Sequence, residues 1–292
     1  MKFKQLFITL ALISVSVFPI KSFATEPNDV AEENTEKEIG LSIEVGTDVV
    51  SAYLWRGQNL GGISIQPSVT IDWKGLYVSG WANIGADNWT FEDLNPELDI
   101  TIGYDNYGVQ VDLTHLYYFG GEAYFPKGGF KNTLSPDSAS STMEAHAGFH
   151  LGDLVEKVPL SIDWYTTIYG GDCYEVDGKW KRAWSTYIEV GYAFELPLGI
   201  MLNTSVGFTP WRGMYSNYEE VWKNAKTVAI NNVHLRAERD FEFKGISFGA
   251  WAECMLNCYG IDKTNVTTEL SRKFDQRFNF SVGGCLYFTS EW

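Results

Sequence analysis

The chain has 292 residues and a formal net charge of −15, a sign that excludes a basic nucleic-acid binder. Aromatic residues make up 15 % of it and glycine supplies 28 positions, yet mean hydropathy is only −0.15. Beyond the N-terminal segment no apolar run reaches the roughly 18 residues of a spanning helix, so any bilayer crossing has to be made by strands.

At the N-terminus Lys2 and Lys4 precede an apolar run from Leu6 to Phe18, followed by Ser22-Phe23-Ala24. This is the pattern of a secretory signal, and cleavage is expected after Ala24, giving segment 1–24. No cysteine lies near that point, so no lipid anchor is expected. Loss of Lys2, Lys4 and Lys21 takes the net charge from −15 to −18. Residues 25–38 carry Glu26, Asp29, Glu32, Glu33, Glu36 and Glu38 against Lys37, too polar to bury a core, and are expected to form a disordered periplasmic tail.

From residue 39 to 292 the dominant signal is strand-length alternation. Twelve segments follow, at 41–55, 63–72, 76–85, 97–104, 109–119, 142–151, 159–169, 183–194, 199–208, 228–240, 246–256 and 277–292. Most have the roughly 9–11 residues that a tilted membrane strand needs. The last alternates most cleanly, with Phe278, Phe280, Val282, Leu286, Phe288 and Trp292 on one face and Asn279, Ser281, Gly283, Cys285, Tyr287 and Thr289 on the other. In the third, Tyr77 and Trp81 compete with Leu76 and Val78 for the apolar phase. In the tenth, Val228 and Ile230 are out of phase with Val233 and Leu235, which predicts a β-bulge at Asn231-Asn232. On the apolar phase only Arg239, at a strand end where it can snorkel, and His115, expected near an interface, interrupt.

The gaps between segments run 7, 3, 11, 4, 22, 7, 13, 4, 19, 5 and 20 residues, and no odd-numbered gap is shorter than any even-numbered one. Short periplasmic turns alternating with long outer loops produce that asymmetry in an antiparallel up-and-down transmembrane barrel. Aromatics near segment ends, among them Tyr53, Trp55, Trp73, Tyr77, Tyr104, Tyr107, Phe194 and Phe288, match two interfacial girdles. The expected fold is therefore an all-β, twelve-stranded outer-membrane barrel in contact with membrane lipid. Its C-terminal strand, ending in Trp292, is expected to be read by the outer-membrane assembly machinery.

Three stretches carry a family resemblance: Ser51-Ala52-Tyr53-Leu54-Trp55-Arg56-Gly57, then Gly75-Leu76-Tyr77-Val78-Ser79-Gly80-Trp81-Ala82-Asn83, then Glu97-Leu98-Asp99 with Gly103-Tyr104. Over about the first third of its length the chain resembles the TorF-type porin family. The resemblance implies an outer-membrane barrel with a pore function and brings no catalytic residues. Where that family often continues with serine-rich residues, this chain has Gln58-Asn59-Leu60.

Little in the sequence points to catalysis, a metal or a cofactor, and none of the three is expected. His146 and His150 share a strand face with Glu144, but four residues on a strand span roughly 13 Å, too far for one zinc ion, and a solvated lumenal role is expected. The candidate lining of a pore is the acidic inward phase, namely Glu44, Asp48, Asp99, Asp112, Glu144, Glu189, Glu238 and Glu253, with Arg236 among them. Asp72, Glu97, Asp163, Asp240 and Arg277 share that phase, and Arg56 is expected at the outer rim. An acidic lumen favours cations, so the expected function is passive passage of small polar solutes or ions with a cation preference. Two alternatives stand beside it: a non-conducting barrel whose outer loops bind a partner, and an acyl-lipid hydrolase built on His115 and a hydroxyl from a neighbouring strand. Of the four cysteines, Cys173, Cys254 and Cys258 map to the outer side; at most one bridge involving Cys258 is expected, with Cys285 free.

Overall fold

A strand that leaves water must pair every backbone N–H and C=O, and a sheet meets that demand throughout only by closing on itself. The computed structural model describes residues 40–85, 96–118, 141–155, 157–211, 213–215, 228–244, 246–257 and 278–292. The expected signal, the acidic segment 25–38, most of the long loops, Arg277 and Cys258 lie outside the described residues.

In chain order the strands are β1 (Leu41–Val50), β2 (Tyr53–Trp55), β3 (Gln58–Gly61), β4 (Ser64–Trp73), β5 (Leu76–Gly85), β6 (Glu97–Asn106), β7 (Val109–Tyr118), β8 (Ser141–His150), β9 (Leu160–Gly170), β10 (Cys173–Val176), β11 (Lys179–Arg182), β12 (Thr186–Leu196), β13 (Ile200–Thr209), β14 (Ala229–Phe243), β15 (Ile246–Leu256) and β16 (Phe278–Glu291). Twelve of them form one closed antiparallel barrel in the order β1-β16-β15-β14-β13-β12-β9-β8-β7-β6-β5-β4. Closure is made by β1, which pairs Val45 with Phe288 of β16 on one side and Leu41 with Trp73 of β4 on the other. Backbone bonds from Gly40 to the Trp292 carbonyl (2.8 Å) and from Trp292 to the Leu41 carbonyl (2.9 Å) zip the two chain ends together. Among the described residues no helix is long and apolar enough to cross a membrane.

Except for the first, the expected segments lie within about three residues of the observed strands. The first was expected to run to residue 55. It ends at Val50, and the chain turns back as the separate hairpin β2–β3. A second small hairpin, β10–β11, occupies what was expected to be plain loop. The bulge expected at Asn231-Asn232 is present: Gly207 pairs with Asn232 and Phe208 with Ile230, leaving Asn231 as the extra residue.

Turn chemistry at the short-turn end explains why those connections are tight. Lys74-Gly75 (φ 55° and 91°) and Tyr107-Gly108 (φ 53° and 69°) place two consecutive residues in the left-handed region, the requirement of a two-residue hairpin turn whose twist matches its strands. A Cβ on Gly75 would come 2.6 Å from the Asp105 carbonyl oxygen, so the neighbouring turn packs against the space that glycine leaves.

The distribution of polarity is inside-out. Ile71, Val78, Ile102, Val111, Phe280 and Leu286 are exposed on the outer surface, whereas Asp48, Gln66, Asn83, Glu97, Asp163 and Ser281 are buried within. In water such an exterior would be an unusually large apolar patch; against lipid it costs nothing. This is an outer-membrane-type barrel with transmembrane strands. At its short-turn end the exterior carries Trp73, Tyr107, Phe194, Phe241, Phe248 and Trp292, an aromatic belt. Arg239 stands on the outer phase there, its guanidinium 4.8 Å from the Phe241 ring. Tyr77 departs from the expected girdle: it lies on the inward phase of β5 and hydrogen-bonds Asp112 at 2.9 Å. Trp81 is likewise inward and 6 % exposed, so the rivalry in that strand resolves with the two large aromatics in the lumen.

Leu286→Arg, in the middle of β16 on the outer phase, is expected to cost about 2–4 kcal/mol, read as a lower urea midpoint for the barrel in lipid vesicles. Thr289→Arg on the inward phase is expected to cost far less.

Candidate functional site

Within the lumen the inward phases of the strands meet the hairpin β2–β3. Its turn is Arg56-Gly57 (φ 47° and 82°), again two residues in the left-handed region. A Cβ on Gly57 would collide with the carbonyl oxygen of Asn231, and Asn257 Nδ2 donates to the Gly57 carbonyl at 3.3 Å. The tip is thereby pinned against the β14 bulge. At its base, Val282 N donates to Ser51 Oγ at 2.9 Å, and Tyr53 lies 5.3 Å from the Trp81 ring. Tyr53 and Trp55, expected in the girdle, therefore belong to the lumen.

Arg56 was expected at the outer rim, but the hairpin carries it into the interior. Its guanidinium forks onto Glu144 of β8, with Nη1 to Oε2 at 2.6 Å and Nη2 to Oε1 at 2.8 Å, and both side chains are almost fully buried. Tyr215 donates to Glu144 Oε2 at 2.8 Å and also meets Arg56 Nη1. The guanidinium carbon sits 3.8 Å from the Tyr165 ring centre, with Trp55 at 4.6 Å, Tyr187 at 5.1 Å and Tyr215 at 5.4 Å. Burial pushes the Arg56 pKa down, but the Glu144 charge and hydrogen bonds push it up further, so it is held above its ordinary value. This aromatic cage with a bidentate ion pair crosses the lumen from β8 to the β14 bulge. There Asn231 Nδ2 donates to the Tyr215 carbonyl at 3.2 Å, and Asn232 Nδ2 donates to Tyr187 Oη at 3.0 Å.

From the cage a polar chain runs toward the short-turn end. The His146 ring stacks on Tyr165 at 4.2 Å and 7°. Its Nδ1 meets Asp112 Oδ2 at 2.7 Å, and its Nε2 meets Asp163 Oδ1 at 3.1 Å. His150 Nε2 reaches the same Asp163 oxygen at 3.1 Å. The two histidines were expected to be solvated and too far apart to act together. Each is instead 8 % exposed, and they converge on one carboxylate. Backbone spacing was a poor guide because Gly148 stands between them. A Cβ there would lie 2.7 Å from Asp163 Oδ1 and 3.1 and 3.2 Å from the two imidazole nitrogens.

The remaining candidates occupy the rest of the wall. Asp48 accepts from Tyr287 at 2.6 Å, and Glu253 meets His234 at 3.1 Å. Glu238 accepts from Arg236 Nε and Asn203 Nδ2, both at 2.7 Å, while the Arg236 guanidinium lies 4.2 Å from Trp251. Glu189 accepts from Tyr187 and, at 3.3 Å, from Asn232. Asp99 is inward, with a buried Oδ1 that has no hydrogen-bond partner among the described residues. Glu44 is exposed near the short-turn mouth, 3.4 Å from Thr289 Oγ1. The acidic excess is thus divided between acids that face a guanidinium or an imidazole (Asp112, Glu144, Asp163, Glu238 and Glu253) and acids that do not.

On the outer phase, His115 Nε2 and Ser141 Oγ lie 2.7 Å apart on β7 and β8. Cys173, Cys254 and Cys285 carry free thiols, and burial pushes the Cys173 pKa up, away from a reactive thiolate.

No family model matches this chain, and no curated protein matches it. Solved structures with some likeness include an outer membrane channel from Pseudomonas putida F1, at 12 % identity over 91 % of this chain and 100 % of that one, with a TM-score of 0.41. OmpF of Salmonella typhi aligns at 9 % identity over 86 % and 97 %, TM-score 0.36, and the P. putida toluene transporter TodX at 9 % over 87 % and 90 %, TM-score 0.34. At such values the likeness adds nothing to the architecture already evident from strand pairing.

Removing one partner of a buried ion pair strands the other charge, at about 3–5 kcal/mol, whereas replacing both with packed apolar groups is often neutral. Glu144→Leu is expected to fall in that range by urea unfolding in detergent, and the double variant Arg56→Met with Glu144→Leu to regain most of the loss.

Proposed function

We propose that the chain is an outer-membrane channel of porin type, passing small polar solutes or ions, with hairpin β2–β3 as its constriction. The observation that carries this reading is the chemistry of the lumen. Twelve strands enclose a space that side chains can fill, and apolar filling would satisfy stability at least as well as buried ion pairs do. Carboxylates, imidazoles and guanidinium groups down the interior instead support a route for water and charge. The motif resemblance to TorF-type porins, which includes Arg56-Gly57, agrees with it. In this reading residues 1–24 direct export, cleavage follows Ala24, the short turns face the periplasm, and the strand ending in Trp292 addresses the assembly machinery.

A cation preference belongs to the same proposal, with a narrower set of residues than the full acidic phase. Acids that face Arg56 or Arg236 contribute little net field. Glu44 and Asp48 retain most of theirs, over the roughly 8 Å that physiological salt permits. One observation favours a second reading. The bidentate Arg56–Glu144 contact within its aromatic cage leaves the hairpin firmly seated, as a non-conducting barrel with partner-binding outer loops would have it. For the His115–Ser141 contact, a satisfied imidazole at the membrane face is the reading we adopt in preference to a hydrolase, since a nucleophile also needs an oxyanion site.

In planar bilayers the mature barrel is expected to conduct, with a reversal potential across a KCl gradient on the cation side that shrinks as ionic strength rises. Glu44→Gln and Asp48→Asn should each reduce it. Arg56→Ala should raise single-channel conductance. An anion preference would sink the selectivity argument, and silence from both wild type and Arg56→Ala would favour the loop-binding barrel.

A further inference from the structure

At the short-turn end three chain segments bring oxygen and nitrogen donors together. Asp105 is the last inward residue of β6, His150 ends β8, and Asp153 lies in the 3-10 turn Leu151–Asp153 that follows. One ligand atom from each lies within 4.8 Å of the other two. The backbone fixes two of these segments to their neighbours: His150 N donates to the Gly108 carbonyl at 2.8 Å, and Asp105 N to the Gly75 carbonyl at 2.8 Å. Burial falls off across the set, from a buried His150 through a half-buried Asp105 to an exposed Asp153. The site is therefore walled on one side and open to solvent on the other.

What lifts this set above an ordinary acidic patch lies outside it. His150 Nε2 is held at 3.1 Å by Asp163, a carboxylate from β9 that is 2 % exposed. A carboxylate on the far nitrogen of an imidazole is the arrangement that orients metal-ligating histidines and raises their basicity. Asp163 Oδ2 is itself buried and has no hydrogen-bond donor among the described residues, while Oδ1 is shared by His146 and His150.

We propose that Asp105, His150 and Asp153 bind a divalent first-row transition-metal ion, with zinc the best fit, at the short-turn mouth of the barrel. One imidazole and two carboxylates suit zinc, and three protein ligands leave a fourth position for water or solute. A tetrahedral ion bonded at about 2.0–2.2 Å needs donors roughly 3.4 Å apart. Exposed Asp153, on its short turn, is free to close that distance. Such an ion would clamp the β6–β7 turn to the β8–β9 connection. Sequence reasoning missed the set because Asp105 is remote from the other two in the chain, and because it weighed His150 only against His146.

The proposal does not depend on conduction and is tested without it. The untagged full-length mature barrel, refolded in detergent, is titrated with ZnCl2 by calorimetry and, separately, with Co2+ by visible absorption. One equivalent is expected, with a tetrahedral cobalt spectrum. Asp153→Asn, a change at an exposed position, and Asp105→Asn should each weaken binding more than about tenfold. Asp163→Asn should weaken it about 10–100-fold, the range for loss of an outer-shell partner. Heat-modifiable gel migration checks that each variant is folded. No stoichiometric binding by the folded wild type, or zinc affinity unchanged in folded Asp153→Asn and Asp105→Asn, would overturn the assignment.

Discussion

A guanidinium enters a low-dielectric interior only if a carboxylate meets it there, and in this barrel the meeting of Arg56 with Glu144 organises everything around it. The hairpin β2–β3 has three and four residues in its strands, too few to hold a position by backbone pairing alone. Its place is set at the tip by the forked contact to β8 and, on the other side, by the approach of Gly57 to the bulged strand β14. The aromatic rings of Tyr165, Tyr187 and Tyr215 then close on the cation, and Tyr165 passes the stacking on to His146. Without the ion pair, the cage would have no reason to be where it is.

The same constraint decides what the acids in the lumen can do. A closed barrel in lipid has an apolar exterior by necessity, so its polar side chains gather inside. Each carboxylate there finds a donor, bears a desolvation cost, or sits near a mouth. Asp112 takes His146, Tyr77 and Gln110, while Glu44 remains exposed. Counting charges on the inward phase therefore overstates the field along a passage, and distance from the nearest cation is the better guide.

Legibility in the sequence followed the length of each periodic signal. The strand ending at Trp292 was readable because its alternation runs for fourteen residues with only Gly284 and Ser290 interrupting the apolar face, and the structure keeps that phase from Phe278 to Phe288. The β14 bulge was readable because Val228 and Ile230 sit out of step with Val233 and Leu235, and only one extra residue restores them. The hairpins β2–β3 and β10–β11 were not, since three or four residues carry no period. Tyr77 and Trp81 misled because a large aromatic suits a lipid interface and a narrow lumen equally well, and only the partner across the barrel distinguishes the two. The candidate site was legible as a list of inward acids but not as a set of pairs. Pairing depends on side-chain reach over neighbouring strands, as the convergence of His146 and His150 on Asp163 makes plain.

The run from Ser51 to Gly57 shows how a short sequence element can encode a physical device. Ser51 anchors the end of β1 to β16 through reciprocal bonds, its N donating to the Val282 carbonyl and its Oγ accepting from Val282 N, both at 2.9 Å. Two residues on, Tyr53 meets Trp81 and turns the chain inward. Arg56 supplies the charge, and Gly57 the left-handed backbone that lets the tip touch β14. The spacing follows from geometry. An anchor at the wall, an aromatic one step along and a cation at the turn need about two residues each at roughly 3.3 Å per residue to reach from rim to interior. Shortening the element would lift Arg56 away from Glu144, and lengthening it would press Gly57 into the Asn231 carbonyl. Both substitution and insertion therefore act through one quantity, the depth at which the guanidinium meets its carboxylate.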